Sequence, residues 1–429
     1  MSVLEVAALL VTYRFIKGSM KKSRQILSIL VATAVLGMFA LSCAPKAASP
    51  VPTEPVLINV GLPTPLSNPG IPWGRANIEP YSTWLDLFNK EGFKVNGKTY
   101  NFKIFMADDR DSPEGGTAAA EQLVYGDGCR FLAGHWSWSY DTISAITNPA
   151  KVIFVTRDGG GIVYDPVTQP YNVFGTPAKE EWVAQVLAAH EKYPDVKFGL
   201  LEPTSGLTQS EIEQINRQFF DPAGMSYQWE IFPAGTTDFT PYIAKFADGG
   251  CGLIYTDTGI DSTILFLKQR WEAGYKWPVG QAGGLAELSV YMDACGYDAV
   301  QGLIGGYFGI WDFKETMVNP EYVSMCQEVM NTLSDRYGKL YTYTDWIGWL
   351  PSHLLILAQA MQKAGTVEDT DAIMQAIRGG TFDTTAGKFT MSGEKTYGSP
   401  IAFGCPCAIC IVEGDKAVYL SEHPLKSVP

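Results

Sequence analysis

From residue 56 onward, short runs of β-branched and aromatic residues alternate with longer stretches of helical period. "VLINVGL" is the first run, and residues 73–91 then place Trp73, Tyr81, Trp84, Leu85 and Phe88 along one side of a helix. "YNFKIFMADD" alternates as a strand does. "SPEGGTAAAEQLVYGDG" follows, opening on a capping residue and ending on a glycine, which predicts a helix. "CRFLAG" and "KVIFVT" are two further strands, with a helix between them that starts near Ser139 or Asp141. This βαβα order predicts a parallel sheet flanked by helices.

The order then repeats. "EEWVAQVLAAHEKYP", "TQSEIEQINRQFFDPAG", "FTPYIAKFADGG" and "DSTILFLKQRWEAGY" carry helical patterns, and "KFGLLE", "YQWEIFPAG", "CGLIYTD" and "WPVGQAG" separate them as strands. "LIGGYFGI" is one further strand. After Asn319 helices dominate, in "EYVSMCQEVMNTLSDRYG", "DWIGWLPSHLLILAQAMQKAG" and "TDAIMQAIRGG", before a β-rich tail. No long low-complexity linker separates the two βα blocks, so two α/β lobes joined by several short crossings fit better than two independent beads. Some 375 residues after position 55 also exceed what one ordinary core holds. With 46% hydrophobic residues, the chain has enough apolar surface to build both lobes.

The first 50 residues follow another pattern. From Met20 the chain carries Lys21, Lys22 and Arg24, an apolar run from Ile26 to Leu41, then Ser42 and Cys43. A basic start, a short apolar stretch and a small residue before the cut make a secretory signal, and Met20 is then the expected start. The run is shorter than the roughly 20 residues of a spanning helix, although an uncleaved N-terminal anchor is the alternative. Ala40-Leu41-Ser42-Cys43 resembles a bacterial lipobox, in which the cysteine is acylated and becomes the first mature residue. "APKAASPVPTEP" after it has little to bury and suits a flexible tether.

Of 32 basic and 45 acidic residues, five and one lie within 1–42, leaving 27 against 44 and a net charge of −17. Such a surface repels phosphate backbones and makes nucleic acid a poor partner. Seven cysteines follow Cys43, an odd number that cannot all pair within one chain. In "GCPCAIC" three thiols, with His423 as a conceivable fourth ligand, could hold a metal. Alternatively "IAFGCPCAICIV" is a buried strand in which cysteine serves as a small hydrophobe. No G-x-S-x-G elbow, H-E-x-x-H motif or phosphate loop is present, and His135, His190, His353 and His423 form no triad-like spacing. His190 and His353 fall in helical stretches and are expected to be structural. An enzyme is not expected, and no cofactor is implied.

The succession "INVGLPTPLSNPGIPWGRANIEPY", "MADDRDSPEGGTAAAEQLV" and "FLAGHWSWSYDTISAITNPAKVIFVT" resembles successive segments of the type I periplasmic solute-binding proteins. More narrowly, it is similar to the receptors of branched-chain amino acid ABC transporters, over about residues 56–420. The resemblance implies two doubly wound, Rossmann-like α/β lobes joined by three crossings, with solute in the cleft between them. It divides the chain into a signal region 1–42, a tether 43–55, lobe one (56–174 with 305–388) and lobe two (175–304 with 389–429).

In open α/β sheets the ligand sits beyond the carboxyl ends of the strands. The loop at 134–139, with His135, Trp136, Ser137 and Ser139, is such an end. Free N–H groups of the following helix, aided by the Ser137 and Ser139 hydroxyls, would suit a solute carboxylate, while Trp136 walls its apolar part. Ser139 or Asp141 as a plain N-cap, with Trp136 and Trp138 packed between helices, is the alternative. Trp73 matches the family's first cleft loop. The same rule offers Thr156, Arg157 and Asp158, then Glu202 and Ser205, then Thr256, Asp257 and Thr258, and finally Gly283. The chain departs from amino-acid-binding relatives where they carry a glutamate for the ammonium, since it has Gln281-Ala282-Gly283-Gly284 there. Asp257 or Glu202 would have to supply that anion, or the solute lacks an amino group. With the lipobox-like stretch, the resemblance implies a lipid-anchored protein of the periplasm or the outer face of the cell membrane. It would bind a small polar or carboxylate-bearing solute (an amino acid, amide or aromatic acid) and deliver it to the permease subunits of an ABC importer. A sensor of the same fold, or a cysteine-cluster metal carrier, is the alternative.

Overall fold

The structure, a computed structural model, describes residues 54–67, 78–135, 139–156, 165–175, 178–204, 208–233, 235–256, 259–281, 285, 288–307, 320–338, 345–385, 387–403 and 407–423. The body from Pro55 to Pro429 is one compact unit. Its first block contains β1 (Val56–Thr64), α1 (Ile78–Phe88), β2 (Phe93–Val95), β3 (Lys98–Asp108), α2 (Pro113–Glu121), β4 (Phe131–His135), α3 (Tyr140–Thr147), β5 (Ile153–Thr156) and β6 (Asn172–Phe174). The second contains α4 (Ala178–Lys192), β7 (Phe198–Pro203), α5 (Gln209–Ile215), β8 (Tyr227–Phe232), α6 (Thr240–Asp248), β9 (Leu253–Thr256), α7 (Ile260–Glu272), β10 (Val279–Gln281), α8 (Leu288–Cys295), α9 (Tyr297–Val300) and β11 (Leu303–Tyr307). The third contains α10 (Pro320–Tyr337), α11 (Asp345–Ala364), α12 (Thr370–Ile377), β12 (Thr381–Thr384), β13 (Gly387–Thr390), α13 (Glu394–Tyr397), β14 (Cys407–Glu413) and β15 (Lys416–His423).

Two main sheets form the frame of a two-lobe α/β fold, in the orders β2-β3-β1-β4-β5-β6 and β15-β14-β11-β10-β9-β7-β8. β3-β1-β4-β5-β6 run parallel, with β2 antiparallel at the edge. β8-β7-β9-β10-β11 are parallel in the same winding, extended by the antiparallel hairpin β14–β15. In each, the chain steps from its first strand to one side, then returns to the other side of that strand. The reversal falls between β1 and β4 in one sheet and between β7 and β9 in the other. Strands covered on both faces need unbroken apolar runs, and all four residues of β5 and of β9 are buried.

Local chemistry explains the helices. Ser112 accepts a bond from the Gly115 N–H at 3.1 Å and Pro113 opens α2, as the sequence predicts. A single π turn, Gln122–Gly126, closes that helix. In α1, buried Trp84 stacks on Phe88 at 5.0 Å. α3 is anchored at its far end by Asn148, whose amide donates to Ser144 Oγ at 3.0 Å and to Asn172 Oδ1 of β6 at 2.9 Å.

The sheet pairing of two stretches bears on where the chain passes between the lobes. β11 pairs with β10 as far as Gly305 and with β14 as far as Tyr307, so all of it belongs to the second sheet. Gly305 and Gly306 do not break the strand. A side chain at 305 would stand 3.1 Å from Gln281 O, so glycine serves close packing there. Beyond residue 388 the chain stays with the first sheet as far as Phe403. Phe174 donates to Ile401 O at 3.0 Å, and Phe403 donates to Phe174 O at 2.9 Å.

Cys129, Cys251, Cys295, Cys326 and Cys410 are free thiols. Burial, with Asp127 nearby, pushes the Cys129 thiol up to about 12, and burial alone does the same for Cys326. Both stay protonated and unreactive. Cys410 is fully buried in β14, as the strand reading has it. The backbone pairs Cys407 with His423, while Cys405 lies outside the described residues. Among the described residues no group of His, Cys, Asp or Glu is arranged to hold a metal.

Candidate functional site

The carboxyl ends of the parallel strands collect the buried polar side chains of both sheets. In the second lobe Glu202 ends β7, Thr256 ends β9 and Gln281 ends β10, and all three are fully buried. Register makes them neighbours, because Leu201 pairs with Thr256 and Thr256 with Gln281. The Thr256 hydroxyl donates to Gly280 O at 3.1 Å, which fixes it within the sheet. Glu202 stands at the β7/β9 reversal.

In the first lobe the corresponding edge runs through Thr64, Asp108, His135 and Thr156. Thr64 registers with Asp108, and His135 with Thr156. β4 carries a bulge between Ala133 and His135, where Gly134 takes φ +81. Its N–H donates to Nδ1 of His353, on α11, at 3.0 Å. The ring is therefore neutral, with its proton on Nε2. His353 is fully buried and packs edge-on against Phe403 at 5.5 Å. The expected structural histidine is thus a clamp on the strand that leads into the 134–139 loop. Replacing His353 by Phe keeps the packing and strands that N–H, which should cost about 1–3 kcal/mol in urea unfolding. His353→Gln, which retains an acceptor, should recover part of the loss. A wild-type midpoint for His353→Phe would remove the clamp.

Ser139 is fully buried just before α3 and makes no side-chain cap bond to that helix. Its hydroxyl instead donates to Asp109 Oδ2 at 3.1 Å. Asp109 is itself fully buried, and its Oδ1 accepts from the Asp111 N–H at 3.0 Å. Arg110 and Asp111 both adopt the left-handed region, φ 53 and 52, at about 1–2 kcal/mol per residue. Asp108 Oδ1 accepts from Leu66 N at 2.8 Å and Arg110 N at 3.1 Å. Burial raises the Asp108 carboxyl, but bonds from the Ser67 side chain and from the backbone of Leu66, Arg110 and Ser67 outweigh it and hold it below its ordinary value.

Trp73, Trp136, Ser137, Arg157, Asp158, Ser205, Asp257, Thr258 and Gly283 lie outside the described residues, as do Trp138 and Cys43. Of the other sequence candidates, His135, Thr156, Glu202 and Thr256 fall at strand ends and Ser139 just before α3, in two groups, one per sheet. Asp108, Asp109 and His353 are the polar groups sequence reasoning passed over at these edges. "MADDRD" at a strand's carboxyl end was the available signal for the first two.

Against known proteins, the family profile described as "Periplasmic binding protein" matches residues 57–401. The chain belongs to the periplasmic binding protein family. The family is one of solute-binding proteins, not of catalysts. Among curated relatives, this periplasmic binding protein is 24% identical over 203 residues to Leu/Ile/Val-binding protein homolog 7 of Brucella abortus. That match covers 46% of this chain and 47% of the relative, so the chain spans about half the length of the relative it matches. A leucine binding protein of Thermotoga maritima superposes with TM-score 0.65 at 16% identity, covering 86% of this chain and 99% of that one. A solute binding protein of an ABC transporter from Rhodopseudomonas palustris, in complex with 3,4-dihydroxybenzoic acid, gives TM-score 0.67 at 16% identity, with 87% and 99% covered. These likenesses establish the fold as the type I periplasmic binding fold. Among the described residues no helix is long and apolar enough to cross a membrane.

Proposed function

We propose that this protein binds one small polar or carboxylate-bearing solute, an amino acid, amide or aromatic acid, in the cleft between its lobes and delivers it to an ABC importer. The family match over residues 57–401 carries this reading. The polar strand ends support it, since open α/β sheets bind ligands at topological reversals. Trp136, Ser137 and the N–H groups that open α3 receive the carboxylate and the apolar part, with Trp73 covering them. Arg157, Asp158, Ser205, Asp257, Thr258 and Gly283 complete the two rims. Glu202, at the second reversal, is the residue we assign to the ammonium of a solute that carries one.

Native mass spectrometry of the purified protein tests the reading, because a closed cleft retains its solute. A complex with one small organic molecule is expected. Unliganded mass alone, with no thermal shift from L-leucine, L-isoleucine, benzoate or 3,4-dihydroxybenzoate, would overturn it.

The protein is further proposed to be a lipoprotein held at the outer face of the membrane through Cys43, with 44–55 as its tether. Cys43→Ala should then abolish both palmitate labelling and partition into detergent. If the variant still partitions with detergent, the N-terminal apolar segment itself is the anchor.

A further inference from the structure

We propose that Asp108 and Asp109 are positioning residues that lock the two solute-carrying loops of the first lobe, Asp108 through Leu66 and Ser67 and Asp109 through Ser139. This rests on the solute-binding reading above. Successive residues at a strand end direct their side chains to opposite faces, so an adjacent pair can serve two different elements. β3 ends at Asp108, beside β1 and one strand removed from β4. Asp108 Oδ1 accepts from Leu66 N at 2.8 Å and Ser67 N at 3.3 Å, the segment that leaves β1. Asp109 Oδ2 accepts from Ser139 Oγ at 3.1 Å, on the segment that leaves β4. β1 and β4 flank the reversal of this sheet. One carboxylate therefore holds each exit from the crevice.

The surrounding packing fits that role. A Cβ on Gly115 would stand 2.0 Å from Asp109 O, and one on Gly116 would stand 2.4 Å from Ser139 Cβ. The glycine pair thus seats α2 against both partners at once. The turn between the two carboxylates and α2 is held by the bonds of Arg110 N and Asp111 N to Asp108 and Asp109. With Asn148 and Asn172 holding the far end, α3 is fixed at both ends and its N-terminus cannot drift from the crevice.

Hydrogen-exchange mass spectrometry on the purified chain tests this for Asp108→Ala, Asp109→Ala and the milder Ser139→Ala. Asp109→Ala and Ser139→Ala should speed exchange over residues 139–147 by about tenfold or more and leave residues 56–67 at wild-type rates. Asp108→Ala should do the reverse. Asp108→Asn and Asp109→Asn, which keep an acceptor oxygen, should restore part of the protection. Whichever of L-leucine and 3,4-dihydroxybenzoate binds the wild type should bind each alanine variant roughly ten- to a hundredfold more weakly. Unchanged exchange, or an equal loosening of the whole lobe in all three alanine variants, would overturn the proposal. If native mass spectrometry finds only unliganded protein and none of the four solutes named above binds, while the exchange pattern is as expected, the solute-binding reading is what fails and the two locks stand.

Discussion

Gly134→Ala should lower the stability of the protein by about 2–5 kcal/mol, read as a clear fall in its urea midpoint. Gly134 adopts φ +81, a conformation that costs an L-residue about 1–2 kcal/mol. The added Cβ would stand 1.9 Å from Leu350 Cδ1, 2.9 Å from Tyr81 Oη and 3.0 Å from Leu62 Cδ1. Leu350, Tyr81 and Leu62 are all buried, so the methyl has no open space to enter, and overpacking adds about 1–3 kcal/mol. Relief would require β4 and α11 to move apart, which breaks the Gly134–His353 bond and releases the loop that follows. Solute affinity should therefore fall together with stability. Wild-type values of both would show that the bulge is not needed.

The parallel βα order of both sheets was legible because strands buried on two faces write themselves as runs such as "IFVT" and "LIYT", while their double winding came only from the family resemblance. β6 was not legible. Asn172–Phe174 is three residues long and sits between Gln169-Pro170 and Gly175, where turn chemistry dominates the pattern. At the candidate site, strand ends were legible and pairings were not. Asp109 meets Ser139 across 30 positions, and Gly134 meets His353 across 219, through a strand order that does not follow the chain. A hydroxyl before a helix gives the same signal whether it caps, binds solute or donates to a carboxylate. Only the neighbour across the sheet distinguishes these roles.

The same winding in both lobes leads to the last expectation. The β1/β4 reversal carries Asp108 and Asp109 with the donors they hold, and the β7/β9 reversal carries Glu202, Thr256 and, one strand further on, Gln281. If the N–H groups that open α3 receive the solute's carboxylate, as proposed, Glu202 in the other lobe is the group that an ammonium or amide at its far end would meet. Glu202→Gln should then weaken an amine-bearing solute such as L-leucine by about a hundred- to a thousandfold, since breaking a buried ion pair costs about 3–5 kcal/mol. The substitution keeps the shape of the side chain and removes only its charge. 3,4-Dihydroxybenzoate, which has no ammonium, should bind the variant as well as the wild type or better, because a buried negative charge has gone. Isothermal titration of both solutes against both proteins decides the matter. If the wild type binds only the aromatic acid and Glu202→Gln leaves its affinity unchanged, the buried carboxylate belongs to the frame of the second lobe, and the solute carries no amine.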